Sequence, residues 1–172
     1  MAILLSLHIL FVVIWVGGMF FAYVALRPAA GSVLEPPQRL SLWAATFGHF
    51  FPWVWGAIVI ILVSGLLLIF KYFGGMAGAA LYIHIMLGLG ILMMLIFMHV
   101  FFAPYQRLKR AVAAQDWPAG GKALNQIRVL IAINLTLGLL TVLVASAGKY
   151  LAHSRTGKHK KAHIMRAFRL PD

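Results

Sequence analysis

Residues 81–103, LYIHIMLGLGILMMLIFMHVFFA, form an apolar run with a histidine near each end. In a helix that rises about 1.5 Å and turns about 100° per residue, His84 and His99 would lie about 22 Å apart along the axis and about 60° apart around it. Their shared side also holds Gly88, Ile91 and Leu95, and the opposite side holds Met86 and Met93. A glycine one turn after an imidazole leaves room for a flat group beside the helix.

The composition identifies the class of protein. The chain has 172 residues, of which 63% are hydrophobic and 10% are charged, which excludes a soluble globular domain. About 20 apolar residues span the hydrocarbon core of a bilayer, and four runs are long enough, at about 2–26, 44–70, 80–103 and 127–148. These features predict an all-α integral membrane protein, an antiparallel bundle of four transmembrane helices over residues 1–150, with a basic solvated tail at 151–172.

Charge and cysteine content limit the partners. The chain contains no cysteine, which excludes disulfides, thiolate metal sites and iron–sulfur clusters. Its net charge of +12 arises mainly from the connection after the third run and from the tail, so we expect contact with anionic lipid headgroups and not with nucleic acid.

The first run lacks a basic leading segment and a small-residue cleavage site, which predicts a retained helix and not a signal peptide. We expect the bacterial inner membrane as the location. The basic residues divide almost evenly between the two faces. The short, uncharged amino terminus then favours both termini outside.

The connections contain helix breakers. Residues 27–39 hold Pro28, Pro36 and Pro37 and predict a loop, and the segment 71–79, KYFGGMAGA, predicts a tight turn between neighbouring helices. Pro52 predicts a kink in the second helix, and the segment 117–121, WPAGG, predicts a break between the third and fourth helices.

The intramembrane histidines sort into two layers by depth. His8 and His84 each lie a few residues inside a span that starts on one face, whereas His49 and His99 lie near the other face. A histidine that faces lipid is costly, so we expect these side chains to face the bundle. On the first helix, the side that bears His8 also carries Val12, Trp15, Met19 and Tyr23.

Three cofactors could use such pairs of imidazoles. Haem b fits best, because neutral imidazoles supply both axial ligands: His8 with His84 for one haem, and His49 with His99 for a possible second. Relief for the macrocycle would come from Gly88 and Gly56, and cations for the propionates from Lys71, Lys149, Arg27, Arg39 and Arg107. Copper is the alternative, with Met19 and Met98 as soft donors beside the histidines, whereas zinc lacks ligands. A lone histidine at a helix end is otherwise an interfacial residue bonded to a backbone carbonyl.

The first helix, LHILFVVIWVGGMFFAYVALRP, resembles that of the CopD copper-resistance membrane family, whose pattern is a histidine, WxGG and a later RP. It is also similar to the HemJ-type protoporphyrinogen oxidases, small four-helix haem b proteins with a first-helix histidine and two histidines on the third helix. Tyr23 and Met86 stand where the HemJ pattern has a basic residue and a lysine. The CopD resemblance implies copper uptake, and the HemJ resemblance implies haem b.

Together, the residues and the resemblance predict a haem b protein that transfers electrons, as a membrane oxidoreductase with a quinol, a porphyrinogen or a small oxidant as its partner. The alternative is a CopD-like protein that transports or binds copper. A second alternative is a cofactor-free membrane scaffold. A homo-oligomer is compatible with each of them.

Overall fold

The computed structural model describes the backbone of residues 1–167 and the side chains of residues 1–148. Within this part the regular structure is helical, and a single π-helical turn, Ala22–Leu26, joins the first two helices. The helices are α1 (Ala2–Phe21), α2 (Arg27–Val33), α3 (Pro36–Tyr72), α4 (Gly75–Gly78), α5 (Leu81–Phe102), α6 (Pro104–Ala113) and α7 (Trp117–Ala167).

Four stretches of helix are long and apolar enough to cross a membrane. They are Ala2–Val33, Pro36–Tyr72, Leu81–Ala113 and Trp117–Gly148. The prediction of an all-helical membrane protein with four spans is therefore confirmed.

The contacts between α1 and α3 show that these two helices run in opposite directions. The amino group of Met1 donates a hydrogen bond to the hydroxyl of Tyr72 over 2.9 Å. His8 contacts Ser64, and Gly18 lies against the ring of Phe50. As residue numbers rise in α1 they fall in α3, so the amino terminus of α1 lies beside the carboxyl end of α3.

An aromatic cluster joins α3 to α5 and α6. Phe51 stacks on Phe47 at 5.1 Å between ring centroids and meets Phe97 edge-on at 5.3 Å. Tyr105 of α6 meets the ring of Phe51 at 4.9 Å, and Trp15 of α1 contacts Phe97 at 6.2 Å. Such edge-to-face pairs stabilise packing beyond area burial alone. The cluster holds the interior of the bundle together on the side where α6 leaves α5.

Small residues let α7 approach its neighbours closely. A side-chain carbon placed on Gly138 would lie 3.0 Å from Val16 Cγ2 of α1 and 3.1 Å from Met93 Cε of α5. At Gly148 it would collide with the ring of Tyr82. Close approach at small residues is typical of helix packing in membranes. Gly138 therefore marks the place where three spans meet.

Two details of the connections differ from the sequence-based prediction. Residues 27–39 were expected to form a loop, but only Leu34 and Glu35 separate α2 from α3, because prolines fit the first turn of a helix. The break before α7 lies at Ala114–Asp116, ahead of the predicted 117–121, where Gln115 adopts a φ of 56°. Asp116 Oδ1 accepts the amide of Ala119 over 3.0 Å and so caps the first turn.

Two further predictions concern a kink at Pro52 and the tail after the fourth span. α3 continues as one helix through Pro52, with no interruption at the predicted kink site. The backbone of α7 continues to Ala167, so the start of the predicted tail is helical, whereas residues 168–172 lie outside the described residues. Solvation of the tail stays a prediction.

Candidate functional site

His8 is half-buried and tied to the neighbouring span. Its Nδ1 lies 3.0 Å from Ser64 Oγ, and the hydroxyl of Ser64 donates its own proton to the carbonyl of Ile60. Because that proton is already used, Ser64 Oγ accepts a hydrogen bond from His8 Nδ1–H. The neutral imidazole is then held in the tautomer that leaves the Nε2 lone pair free, as in many metal-binding histidines.

His84 is fixed in the same tautomer by its own helix. Its Nδ1 lies 3.3 Å from the carbonyl oxygen of Ala80, which can only accept a hydrogen bond. Nδ1 therefore carries the proton, and the neutral imidazole keeps a free lone pair on Nε2. This is also the interaction that a purely structural histidine makes at the start of a helix.

The side of α5 that bears His84 and His99 faces outward. His84 is half-buried, Ile91 and Leu95 are 44% and 53% exposed, and His99 is exposed. The opposite side supplies the buried residues of this helix. The expectation that the histidines of residues 81–103 face the bundle is therefore wrong for His99 and only partly met for His84. Aromatic residues and methionines fill the interior in their place.

The contacts between α3 and α5 show which residues of the two helices lie at the same depth, and so give the relative depth of the histidines. Phe51 and Trp55 of α3 each contact both Phe97 and Phe101 of α5, so the middle of 51–55 lies level with the middle of 97–101. The two helices run in opposite directions, because only residues 73–80 join the end of α3 to the start of α5. Continuing this pairing places Ser64, and with it His8, near the level of Gly88, which is about one helical turn, or about 6 Å, from His84.

The second histidine pair is exposed. His49 and His99 both lie on the surface of the described bundle, although the same pairing of α3 and α5 brings them within about one turn of each other in depth. Across the residues whose side chains are described, no three or more histidine, aspartate or glutamate side chains are grouped so that they could hold a metal ion. The histidines by themselves therefore form no metal site of three or more such ligands in this part of the chain.

Methionine side chains occupy the interior where the histidines were expected. Met19, Met93 and Met94 are 4%, 4% and 7% exposed. Met19 Sδ accepts a hydrogen bond from Asn134 Nδ2 over 3.7 Å, and Met93 Cε lies beside Gly138, one turn further along α7. Two thioethers thus lie against consecutive turns of α7. The sequence analysis placed Met93 on the side opposite the histidines and did not include it among the soft donors.

Asn134 is the buried polar residue at this level. It is 3% exposed, and its Oδ1 has no hydrogen-bond partner within the described part of the chain. It lines a cavity of about 20 Å³ together with aromatic and aliphatic side chains and the thioether of Met19. A cavity of this size holds about one water molecule. The interior at mid-depth therefore offers sulfur and amide oxygen as donors.

The other predicted site residues are scattered. Gly56 and Gly88 have open space beside them, with no atom of another described helix within 4 Å of the position that an added side-chain carbon would take. Lys71 is exposed, and Arg107 donates to Gln126 Oε1 over 3.4 Å on the surface. Arg27 lies over the ring of Tyr23 at 4.9 Å. These residues therefore do not gather around one site.

Comparison with known proteins identifies one family. Neither the curated proteins nor the solved structures contain a match to the chain. The model of one family, described as CopD, copper resistance protein D, matches residues 44–147. This match includes His49, His84 and His99 and excludes His8. Because it spans more than half of the chain, from within α3 to within α7, the protein belongs to the CopD family of copper resistance proteins.

Proposed function

We propose that this protein binds Cu(I) between its transmembrane helices and carries it across the membrane. The observation that carries the proposal is the burial of three methionines, Met19, Met93 and Met94, in a chain of the CopD family. Thioethers are soft ligands that favour Cu(I) over hard cations. The copper ion is then a substrate that passes through the bundle, and not a resident cofactor.

The charge of the interior favours a soft monovalent ion. The chain has three acidic residues, Glu35, Asp116 and Asp172, and none falls within the four predicted apolar runs. A divalent cation that prefers oxygen ligands would find no carboxylate along these spans. Neutral sulfur and nitrogen donors suit Cu(I), whose single charge is also less costly to desolvate than a double charge.

A route through the bundle combines the two donor types. His8 and His84, with free Nε2 lone pairs near one face, would take up or release the ion, and Met19 and Met93 would hold it at mid-depth. Methionine has three rotatable bonds, so its sulfur can turn toward an ion without movement of the backbone. Asn134, which already contacts Met19, would orient that thioether.

Copper flux through purified protein tests this proposal. In proteoliposomes that contain a Cu(I)-responsive dye, we expect the full chain to raise the rate of Cu(I) entry above that of empty vesicles and to leave Zn²⁺ entry unchanged. Zn²⁺ serves as the control because the interior lacks its usual ligand set. Equal Cu(I) entry with and without protein, together with no Cu(I) binding in detergent, would contradict the proposal.

Replacing Ser64 by alanine tests the role of His8 in copper uptake. The change removes the acceptor that fixes the imidazole tautomer, and loss of such a partner weakens metal binding by about tenfold or more. We expect Ser64→Ala to weaken Cu(I) binding by about tenfold and Ser64→Thr, which keeps a hydroxyl, to restore it. Ser146→Ala is the matched control, because Ser146 also bonds a carbonyl of its own helix but is exposed. An affinity in Ser64→Ala equal to that of Ser146→Ala would remove His8 from the route.

A haem b protein that transfers electrons is the second candidate function. The observation in its favour is that His8 and His84 both present Nε2, the atom that binds haem iron, at levels about one turn apart. The open space beside Gly88 would accept part of a macrocycle. The outward direction of the side of α5 that bears His84 is evidence against this function.

An absorption spectrum tests the haem proposal, since protein purified with haem shows a Soret band that His84→Ala should abolish. A second haem on His49 and His99, and a quinol as partner, depend on that first result.

A further inference from the structure

A basic pocket lies at the end of the bundle where α1 passes into α2. The π-helical turn Ala22–Leu26 separates the two helices, and Tyr23 and Arg27 come from this segment and the start of α2. They line a pocket with Trp43 of α3 and Arg128 of α7. The remaining lining is apolar and consists of Ala22, Phe47, Leu124 and Ile131. π-Helical turns are rare in proteins, and those that occur are often at functional sites.

Two residues that line this pocket carry hydrogen-bond donors without an acceptor among the described residues. Trp43 is 4% exposed, and its Nε1 has no partner among the residues that the structure describes. Arg128 Nε is likewise buried without a partner there. A buried donor that lacks a partner costs on the order of 1–3 kcal/mol, and more when it is charged. Two such donors in one pocket indicate that an acceptor binds there.

The charged side chains near the pocket are positive in the part of the chain whose side chains are described. Arg27 and Arg39 both act electrostatically on Arg128, and no acidic residue is among the groups that do so. The acidic residues of the described part, Glu35 and Asp116, are exposed. Three guanidinium groups without a carboxylate repel one another. An anion would offset that repulsion and would also accept from the unpartnered donors.

We propose that Tyr23, Arg27, Trp43 and Arg128 form a binding site for a phosphate anion. Arginine binds phosphate through paired N–H donors, and an indole N–H adds a further neutral donor. The pocket has a volume of about 10 Å³, which admits about one oxygen atom. The phosphate group as a whole therefore stays at the mouth of the pocket beside Arg27 and Arg128, and the side chains of Trp43 and Arg128 would turn to donate to it.

The phosphate has two sources with the same chemistry. It belongs either to the headgroup of an anionic lipid or to free phosphate ion in solution. Basic pockets between transmembrane helices are known sites for lipid headgroups, and the apolar residues beside this pocket suit the acyl chains of a lipid. The site is separate from the buried methionines and does not depend on copper transport.

Ligand-dependent stability of the full-length, delipidated protein in detergent tests the site. The probes are dioleoyl phosphatidylglycerol, dioleoyl phosphatidylcholine and inorganic phosphate, each titrated while the midpoint of thermal unfolding is measured. A ligand that binds only the folded protein raises this midpoint. We compare the wild type with Arg128→Gln and Trp43→Phe. Arg110→Gln is the matched control, because it removes the same charge from an exposed position on α6.

We expect phosphatidylglycerol to raise the midpoint of the wild type and of Arg110→Gln, and Arg128→Gln to need about tenfold more lipid for the same rise. Trp43→Phe should weaken lipid binding less than Arg128→Gln does, because it removes a neutral donor and no charge. An equal response to inorganic phosphate would identify the free ion as the source. Equal responses in Arg128→Gln and Arg110→Gln would overturn the proposal, as would no response in the wild type. If Arg128→Gln does not fold, Arg27→Gln is compared with Arg110→Gln by the same criterion.

Discussion

A double replacement of Met19 and Met93 by leucine is expected to abolish Cu(I) binding in the bundle while the protein stays folded. Both side chains are 4% exposed, and leucine has nearly the volume of methionine, so each change should cost less than about 1.5 kcal/mol of stability. What the change removes is sulfur, the donor that Cu(I) prefers. We expect an affinity at least about 100-fold weaker, measured by competition with a Cu(I) chelator.

The matched control for this double variant is Met76→Leu. Met76 is exposed in the short helix α4, outside the interior of the bundle, and undergoes the same chemical change. Unchanged unfolding temperatures in both variants would show that the loss of copper reflects missing ligands. If the double variant binds Cu(I) as tightly as the Met76→Leu protein, the buried methionines are not the site, and the histidines would have to hold the ion.

The sequence predicts which segments cross the membrane but not how one of them is rotated. Residues 81–102 are apolar on every side, so hydrophobic periodicity cannot indicate which side is buried. The histidines were therefore expected inside on chemical grounds alone. The structure instead buries Met93, Met94 and Phe97, because they pack against α7 and the aromatic cluster of α3.

The first helix was predicted more completely. Its side with His8, Trp15 and Met19 was expected to face the bundle, and Trp15 and Met19 are buried there. His8 is half-buried and bonded to Ser64, a partner that no pattern within α1 could identify. Residue pairs of this kind depend on the register between two helices. That register arises from packing, for example of Gly18 against Phe50, and not from the sequence of one helix.

The basic pocket shows the same limit. Arg27 was predicted as a cation near one face, but Trp43 and Arg128 come from two other spans. Their unpaired donors can be recognised only when the acceptors of all three spans are known. Sequence therefore predicted the charge at this face, and the folded bundle revealed where that charge is left without a partner.

Replacing Gly138 by leucine is expected to destabilise the bundle strongly. Even one added carbon would lie 3.0 Å from Val16 Cγ2 and 3.1 Å from Met93 Cε, so a leucine side chain must force α7 away from α1 and α5. Overpacking of this kind costs about 3 kcal/mol or more, which corresponds to a fall of about 6–12 °C in the midpoint of thermal unfolding.

Gly17→Leu is the control for this change, because Gly17 is exposed and has no atom of another described helix within 4 Å of the position of an added side-chain carbon. Both replacements gain the same helix propensity over glycine, about 1 kcal/mol or less, so the difference between them isolates packing. The displacement of α7 would also separate Asn134 from Met19, and we therefore expect Gly138→Leu to lose Cu(I) binding, whereas Gly138→Ala, which adds one carbon, should keep part of it. Equal unfolding midpoints for Gly138→Leu and Gly17→Leu would mean that α7 does not pack on Val16 and Met93, and the mid-depth thioether site would then lose its structural basis.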